Sequence, residues 1–215
     1  MTNARKARQA TAEKAAKLRA EQAAKEKRRR IGLVAGAAAI VLALGGGITA
    51  IVMTAQSQQK EEDARLAATK LDGLKEYEDL DANHVETPVT YEQTPPVGGN
   101  HNPTWLNCGI YAEPVPNENA VHALEHGAVW ITYRDDVPES QVEQLKDEVG
   151  NQTYMLLSPY PSQENPITLS SWGTQMSVDT ADDPRIEKYI KEYKQGPKTP
   201  EPGAACTGGV GTPEG

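Results

Sequence analysis

The chain has 215 residues and a formal net charge of −8, with no Phe and only two Cys. The charge is uneven, because residues 1–30 carry eleven Lys or Arg and three Glu, a net +8, whereas residues 56–215 carry −16. Residues 31–55 carry no charge. This distribution excludes a uniform cytosolic globule, in which acidic and basic residues would be mixed along the chain.

The uncharged segment is long enough to cross a bilayer. At about 1.5 Å per residue, residues 31–53 span roughly 34 Å, and a hydrocarbon core is about 30 Å thick. Residues 31–55 are therefore predicted to form an uncleaved transmembrane helix, with a cleaved signal peptide as the alternative. The basic run from Lys27 to Arg30 predicts a cytoplasmic N-terminus, because positive charge is retained on that side.

This topology predicts a single-pass protein of the cell membrane whose C-terminal domain is extracellular. Residues 1–30 form the basic cytoplasmic segment, and the lipid bilayer is the first expected partner. We expect no nucleic-acid partner, because no aromatic or base-reading module accompanies the basic residues.

Residues 56–82 are strongly charged, with leucines at roughly helical intervals, and are predicted to form a charged helical stalk bent near Gly73. Residues 83–195 have the pattern of an extracytoplasmic α+β domain. Residues 196–215 are rich in Pro, Gly and Thr, which predicts a flexible C-terminal tail that carries Cys206.

The domain pattern alternates short strands and helices joined by short connections. This order predicts a small, mainly antiparallel sheet with helices packed on one side. The predicted helices cover residues 117–126 and 138–149 and a segment from residue 183, and the predicted strands cover residues 128–133, 153–157 and 167–172.

The two cysteines, Cys108 and Cys206, both follow the apolar segment. Outside the membrane an even count favours a disulfide bond. A free redox thiol and a thiolate ligand for Cu(I) are the alternatives.

All four histidines also follow the apolar segment, and two of them, His122 and His126, are spaced i, i+4 on a predicted helix. This spacing lets both bind one metal ion. The predicted ligands are imidazole nitrogens with a methionine thioether, a combination that suits copper. They are His101, His122 and His126, with Met176 (or Met155) and His84 as further ligands. The alternative is that the imidazoles only bond to backbone groups in turns.

The segment from His122 to His126 also matches H-x-x-E-H, the inverted motif of zinc peptidases, in which the Glu activates water. The match is short, and the predicted helix ends at Gly127. A zinc-dependent hydrolase that uses Glu125 is therefore a minor hypothesis.

Several motifs resemble those of an actinobacterial family of membrane-anchored extracytoplasmic domains of unknown function. The resemblance rests on these blocks: His84-Val85 followed by Val89-Thr-Tyr91, Pro95-Pro96-x-Gly98-x-x-His101, Trp105-x-Asn107-Cys108-Gly109-x-Tyr111, Pro114-Val-Pro-x-Glu118-Asn119-Ala-Val121-His122-Ala-Leu-Glu125-His126-Gly127-Ala-Val-Trp130, Ser171-Trp172-Gly173, and Pro200-Glu201-Pro202-Gly203 with nearby Cys206. It implies a basic N-terminus and one membrane anchor, and it implies no activity.

The leading hypothesis is a non-enzymatic protein that binds a transition metal, with copper favoured as the cofactor. Such a protein would buffer copper or pass it to a membrane cuproprotein. The second hypothesis is an accessory or structural subunit of a larger membrane complex, in which the histidines only support the fold.

Overall fold

The computed structural model describes residues 25, 53–150 and 152–214. The chain divides into two compact units, Met1–Asp63 and Ala64–Gly215. The second unit contains the β-sheet, three helices and the four histidines.

The predicted transmembrane helix over residues 31–55 lies almost entirely outside the described residues. Within the ranges that are described, no helix is both long enough and apolar enough to cross a bilayer. Residues 53–68 have helical backbone and are labelled α1.

The predicted stalk over residues 56–82 is not helical throughout, because α1 ends at residue 68 and Lys75–Glu76 pairs with the sheet as strand β1. Gly73 turns the chain with a φ of +87°, a conformation that favours glycine. Leu71 and Leu74 pack against the buried core. The leucines interpreted as a helical stripe thus include residues that attach this segment to the domain.

The domain is built on one six-stranded sheet with the order β1-β6-β5-β3-β4-β2. The other strands are β2 (Gly109–Ile110), β3 (Val129–Tyr133), β4 (Met155–Pro159), β5 (Ile167–Ser171) and β6 (Thr174–Val178). The helices are α2 (Asn117–Glu125), α3 (Glu139–Val149) and α4 (Arg185–Tyr193).

Strand pairing confirms the predicted α+β class with a mainly antiparallel sheet. The pairs β1–β6, β6–β5 and β5–β3 are antiparallel, whereas β3–β4 and β4–β2 are parallel. The parallel pair β3–β4 follows from α3, which returns the chain across the sheet so that Val129 lies opposite Met155.

The prediction that all helices pack on one side of the sheet is wrong. In β3, Val129 and Ile131 belong to the core cluster that contains α3 and α4, whereas Trp130 belongs to a second cluster that contains α2. Strands β3 and β4 are buried on both faces and therefore lack the apolar–polar alternation of a strand covered on one side. We call the two sides the α3/α4 face and the α2 face.

The C-terminal segment predicted to be flexible is attached to the domain at several points. Cys206 forms a disulfide bond with Cys108, which confirms the predicted pairing. Val210 forms a parallel backbone bridge with Leu106, and Glu214 forms an antiparallel one near β2. The prediction of a flexible tail used composition alone. Composition does not reveal backbone contacts with partners about one hundred positions earlier in the chain.

Candidate metal centre

Helix α2 and the residue that caps its C-terminus, His126, contribute three side chains to a polar cluster on the α2 face. The sequence places His122, Glu125 and His126 at i, i+3 and i+4, so they project from one side of the helix. Ala120 and Ala123 are fully buried, and their small side chains let α2 lie close to the sheet. The polar side of the helix is buried as well, because the loop before α2 and the C-terminal segment both bond to it.

Two further histidines are joined to each other by backbone pairing. His84 and His101 form a parallel bridge, in which the Val85 N–H donates to the His101 carbonyl at 2.7 Å and the His101 N–H donates to the Asn83 carbonyl at 3.0 Å. The bridge places the two imidazole centroids 4.9 Å apart. The bridge thereby holds two loop residues side by side, although they are seventeen positions apart in the chain.

The loop before His101 depends on a glycine. Gly98 has a φ of +152°, and a Cβ atom there would lie only 2.7 Å from Cδ1 of Leu80. The close approach lets the loop pass beneath the indole of Trp172, which packs edge-on against the His101 ring at a centroid distance of 5.8 Å.

Three imidazoles are oriented by backbone carbonyl groups. The Nδ1 atoms of His101, His122 and His126 lie 2.8, 2.6 and 2.6 Å from the carbonyl oxygens of three residues. Because a carbonyl only accepts, each Nδ1 carries the proton, and each Nε2 of a neutral ring keeps its lone pair. The accepting residues are Gly99, Asn102 and Ala205 respectively.

The Nε2 atoms point toward the carboxylate of Glu125. Oε2 of Glu125 lies 3.0 Å from Nε2 of His101, 3.7 Å from Nε2 of His84 and 3.9 Å from Nε2 of His122. The ligand atoms of these four residues all lie within 4.8 Å of one another. We call His84, His101, His122 and Glu125 the four-ligand group.

A second, overlapping set of ligands adjoins the first. The ligand atoms of Glu125, His126 and Glu201 also lie within 4.8 Å of one another, and we call these residues the three-ligand group. Nε2 of His126 lies 3.7 Å from Oε2 of Glu201 and 3.0 Å from Nε2 of His122. With both Nδ1 atoms protonated, the last contact brings two lone pairs together, and a proton or metal ion between them removes the repulsion.

Burial makes these groups costly to charge. His101, His122, Glu125 and His126 are each at most 4% exposed, whereas the side chains of His84 and Glu201 are about half exposed. Desolvation lowers the pKa of His122 to about 4, opposed by its bond to the Asn102 carbonyl and reinforced by the three neighbouring imidazoles. His122 is therefore neutral at pH 7, with its Nε2 lone pair available to a metal ion.

The structure brings together the four histidines that the sequence singled out, but not the predicted thioether. Met176 is 1% exposed and lies opposite Leu169 within the apolar cluster of the α3/α4 face. Met155 belongs to the same cluster. Both methionines are core residues on the other side of the sheet from α2, and neither takes part in the ligand groups.

Two carboxylates of the ligand groups were not among the predicted ligands. Glu125 was noted only through the H-x-x-E-H pattern, as a residue that activates water, whereas its carboxylate stands among the imidazole nitrogens. Glu201 follows a proline-rich stretch 75 positions after His126, and no local pattern indicates its role.

Comparison with known families gives one match. The family described as "Protein of unknown function (DUF3105)" matches residues 84–208. This range is more than half of the chain, begins at His84 and includes every residue of both ligand groups. No curated protein and no solved structure gives a match.

Proposed function

We propose that this chain, which belongs to the DUF3105 family, binds a divalent transition-metal ion through its four-ligand group. The observation that carries the proposal is the orientation of the imidazoles. His101 and His122 each donate an Nδ1 proton to a backbone carbonyl and thereby turn Nε2 toward Glu125, and Nε2 of His101 makes a 3.0 Å hydrogen-bond contact with Oε2 that a metal ion would replace. Metal-binding histidines in proteins are oriented in this way by carbonyl or carboxylate partners.

The distances suit a shared ion. Imidazole nitrogen and carboxylate oxygen bind Zn²⁺ at about 2.0–2.2 Å, which places neighbouring ligand atoms roughly 3.0–3.5 Å apart. The separations from Oε2 of Glu125 to the three imidazoles are 3.0–3.9 Å. Small side-chain rotations therefore suffice to complete the coordination of one ion.

Burial supplies a reason for the ion to bind. A carboxylate and imidazole lone pairs removed from water are unfavourable unless a positive charge offsets them. Protonation of His122 is opposed by burial, which lowers its pKa to about 4. A metal ion provides the positive charge without a proton on that ring.

The ligand chemistry favours copper in its divalent form. Imidazole and carboxylate are borderline to hard ligands, and the thioethers of Met155 and Met176, which would favour Cu(I), lie in the cluster on the other face. For such ligands the affinity of divalent ions rises to Cu²⁺ and falls again at Zn²⁺. We propose a non-enzymatic role in which the protein holds Cu²⁺, buffers it or passes it to a cuproprotein.

The test is metal analysis of the purified full-length chain. Metal-free protein is equilibrated with Cu²⁺ or Zn²⁺, passed over a chelating resin and measured for bound metal. We expect a retained ion in the wild type, its loss in His122→Asn with Glu125→Gln, and no change in the control Met176→Leu. Equal metal in the wild type and the double variant, with both folded by circular dichroism, would contradict the proposal.

We also propose that the domain is displayed outside the cell on a membrane anchor. The support is the uncharged run of residues 31–55, which follows a segment of net charge +8. Protease added to intact cells should remove the C-terminal domain, and alkaline extraction should leave the residual fragment in the membrane. Release of the whole chain by alkaline extraction would contradict anchoring.

A further inference from the structure

We propose that the three-ligand group binds a second divalent ion beside the first, with the Glu125 carboxylate shared between them. This inference rests on the proposed function. It concerns the ligands that a single ion leaves unused, His126 and Glu201.

The first argument is the number of ligands. One four-coordinate ion takes four ligands, and the four-ligand group already supplies them. His126 is 3% exposed, and its Nδ1 donates to the Ala205 carbonyl, which turns Nε2 toward Nε2 of His122 and Oε2 of Glu201, where a cation would offset the lone pairs. A buried imidazole held in this tautomer has the orientation of a metal ligand.

The second argument is the shared carboxylate. Glu125 belongs to both groups, and a carboxylate has two oxygens, so it can bind one ion with each. The Nε2 atoms of His122 and His126 are 3.0 Å apart and belong to different groups. Two ions bound on either side of this contact would lie close together, as in two-metal sites with ions about 3.5–4 Å apart.

Charge and exposure predict unequal affinities. Two divalent ions carry a charge of +4, of which Glu125 and Glu201 offset half, so the second ion is repelled by the first. The Glu201 side chain is 57% exposed, which leaves its position open to water as a further ligand. We therefore expect the second ion to bind more weakly and to exchange faster.

The C-terminal segment fixes this second position. The Glu201 N–H donates to the Glu125 carbonyl at 3.0 Å, which keeps the two carboxylate-bearing residues adjacent. The hydroxyl of Tyr154 donates to the Ala204 carbonyl at 2.9 Å. The segment that carries Glu201 is thus attached to the domain at residue 201 and again at residue 204.

The experiment is a Cu²⁺ titration of the full-length chain, followed by metal analysis and electron paramagnetic resonance. We expect two ions per wild-type chain with a magnetically coupled signal, and one uncoupled ion in Glu201→Ala. Glu164→Ala, another exposed acidic residue, serves as the matched control and should retain both ions. His126→Asn should reproduce the effect of Glu201→Ala.

Each other outcome is informative. One ion in the wild type would overturn the second position and leave the first intact. Two ions without magnetic coupling, unchanged in Glu201→Ala, would overturn the inference, because the second ion would then lie elsewhere. No ion in the wild type would overturn the proposed function together with this inference.

Discussion

The two faces of the sheet share apolar burial and differ in their buried polar contacts. The α3/α4 face is an apolar cluster of large side chains, including Leu145, Leu169 and Ile186. The α2 face combines a second apolar cluster, which includes Trp130 and Leu156, with the buried imidazoles and their hydrogen bonds to backbone carbonyls. The comparison shows that the α2 face adds directional contacts around the histidines to the non-directional stability that both faces supply.

The directional side connects distant segments of the chain. Loop residues that precede α2, the helix itself and the C-terminal segment meet there through hydrogen bonds and the disulfide bond. Hydrogen bonds require specific geometry, whereas apolar burial tolerates rearrangement. The α2 face can therefore fix the positions of ligands, which the α3/α4 face could not do with apolar contacts alone.

Removal of the disulfide should have the largest effect on stability. Cys108→Ser with Cys206→Ser opens a loop with a sequence separation of 98 residues. The chain-entropy estimate for such a loop is about 4–5 kcal/mol, and urea unfolding of the metal-free protein measures the loss. We expect weaker metal binding as well, because Cys206 follows the carbonyl that orients His126. Unchanged metal affinity would show that the α2 face does not need this bond.

Leu169→Ala tests the opposite face. Leu169 is fully buried in the α3/α4 cluster, and we expect the free energy of unfolding to fall by about 2–5 kcal/mol, as for other buried leucines. Metal bound per folded chain should not change. A loss of metal in chains that remain folded would break the proposed division between the two faces.

Acid should weaken the α2 face through His122. Its folded-state pKa is about 4 and its ordinary value is 6.5, so only the unfolded chain gains this proton between these values. Stability of the metal-free protein is then full above pH 6.5, falls as pH decreases toward 4 and levels off below. One proton contributes at most about 1.4 kcal/mol per pH unit to the slope of the free energy of unfolding against pH. His122→Asn should show a shallower slope in urea unfolding at successive pH values.

Met176→Leu should have the smallest effect. The two side chains are similar in volume, and such swaps in a core usually cost less than about 1.5 kcal/mol. Because Met176 lies on the α3/α4 face, copper bound per chain should be unchanged. A specific loss of copper would show that the thioether reaches the site.

Local patterns predicted the regular elements best. The apolar periodicity of α3 and the β-branched run of β3 are properties of adjacent residues, and both elements were placed within a few positions. Strand β6 was missed because its buried Thr174 and Gln175 are polar. The side chain of Thr174 forms a hydrogen bond with the hydroxyl of Tyr189, and that of Gln175 donates to the Pro95 carbonyl. Both partners are distant in the chain, so no local pattern reveals them.

In the candidate site, too, local spacing was visible in the sequence and distant partners were not. The i, i+4 spacing of His122 and His126 was visible in the sequence, whereas the approach of Glu201 depends on the path of the C-terminal segment. Met176 was wrongly grouped with the histidines, because a thioether suits both a copper site and an apolar core. Only the side of the sheet on which it lies distinguishes the two roles.

The disulfide lies beside the residues of the proposed second site. Cys206 adjoins Ala205, whose carbonyl sets the tautomer of His126, and it lies five positions after Glu201. A chain with reduced thiols has no covalent link that retains these C-terminal residues. Under the proposed function, thiol oxidation should therefore precede full metal loading, and newly made chains should take up metal only after oxidative folding is complete.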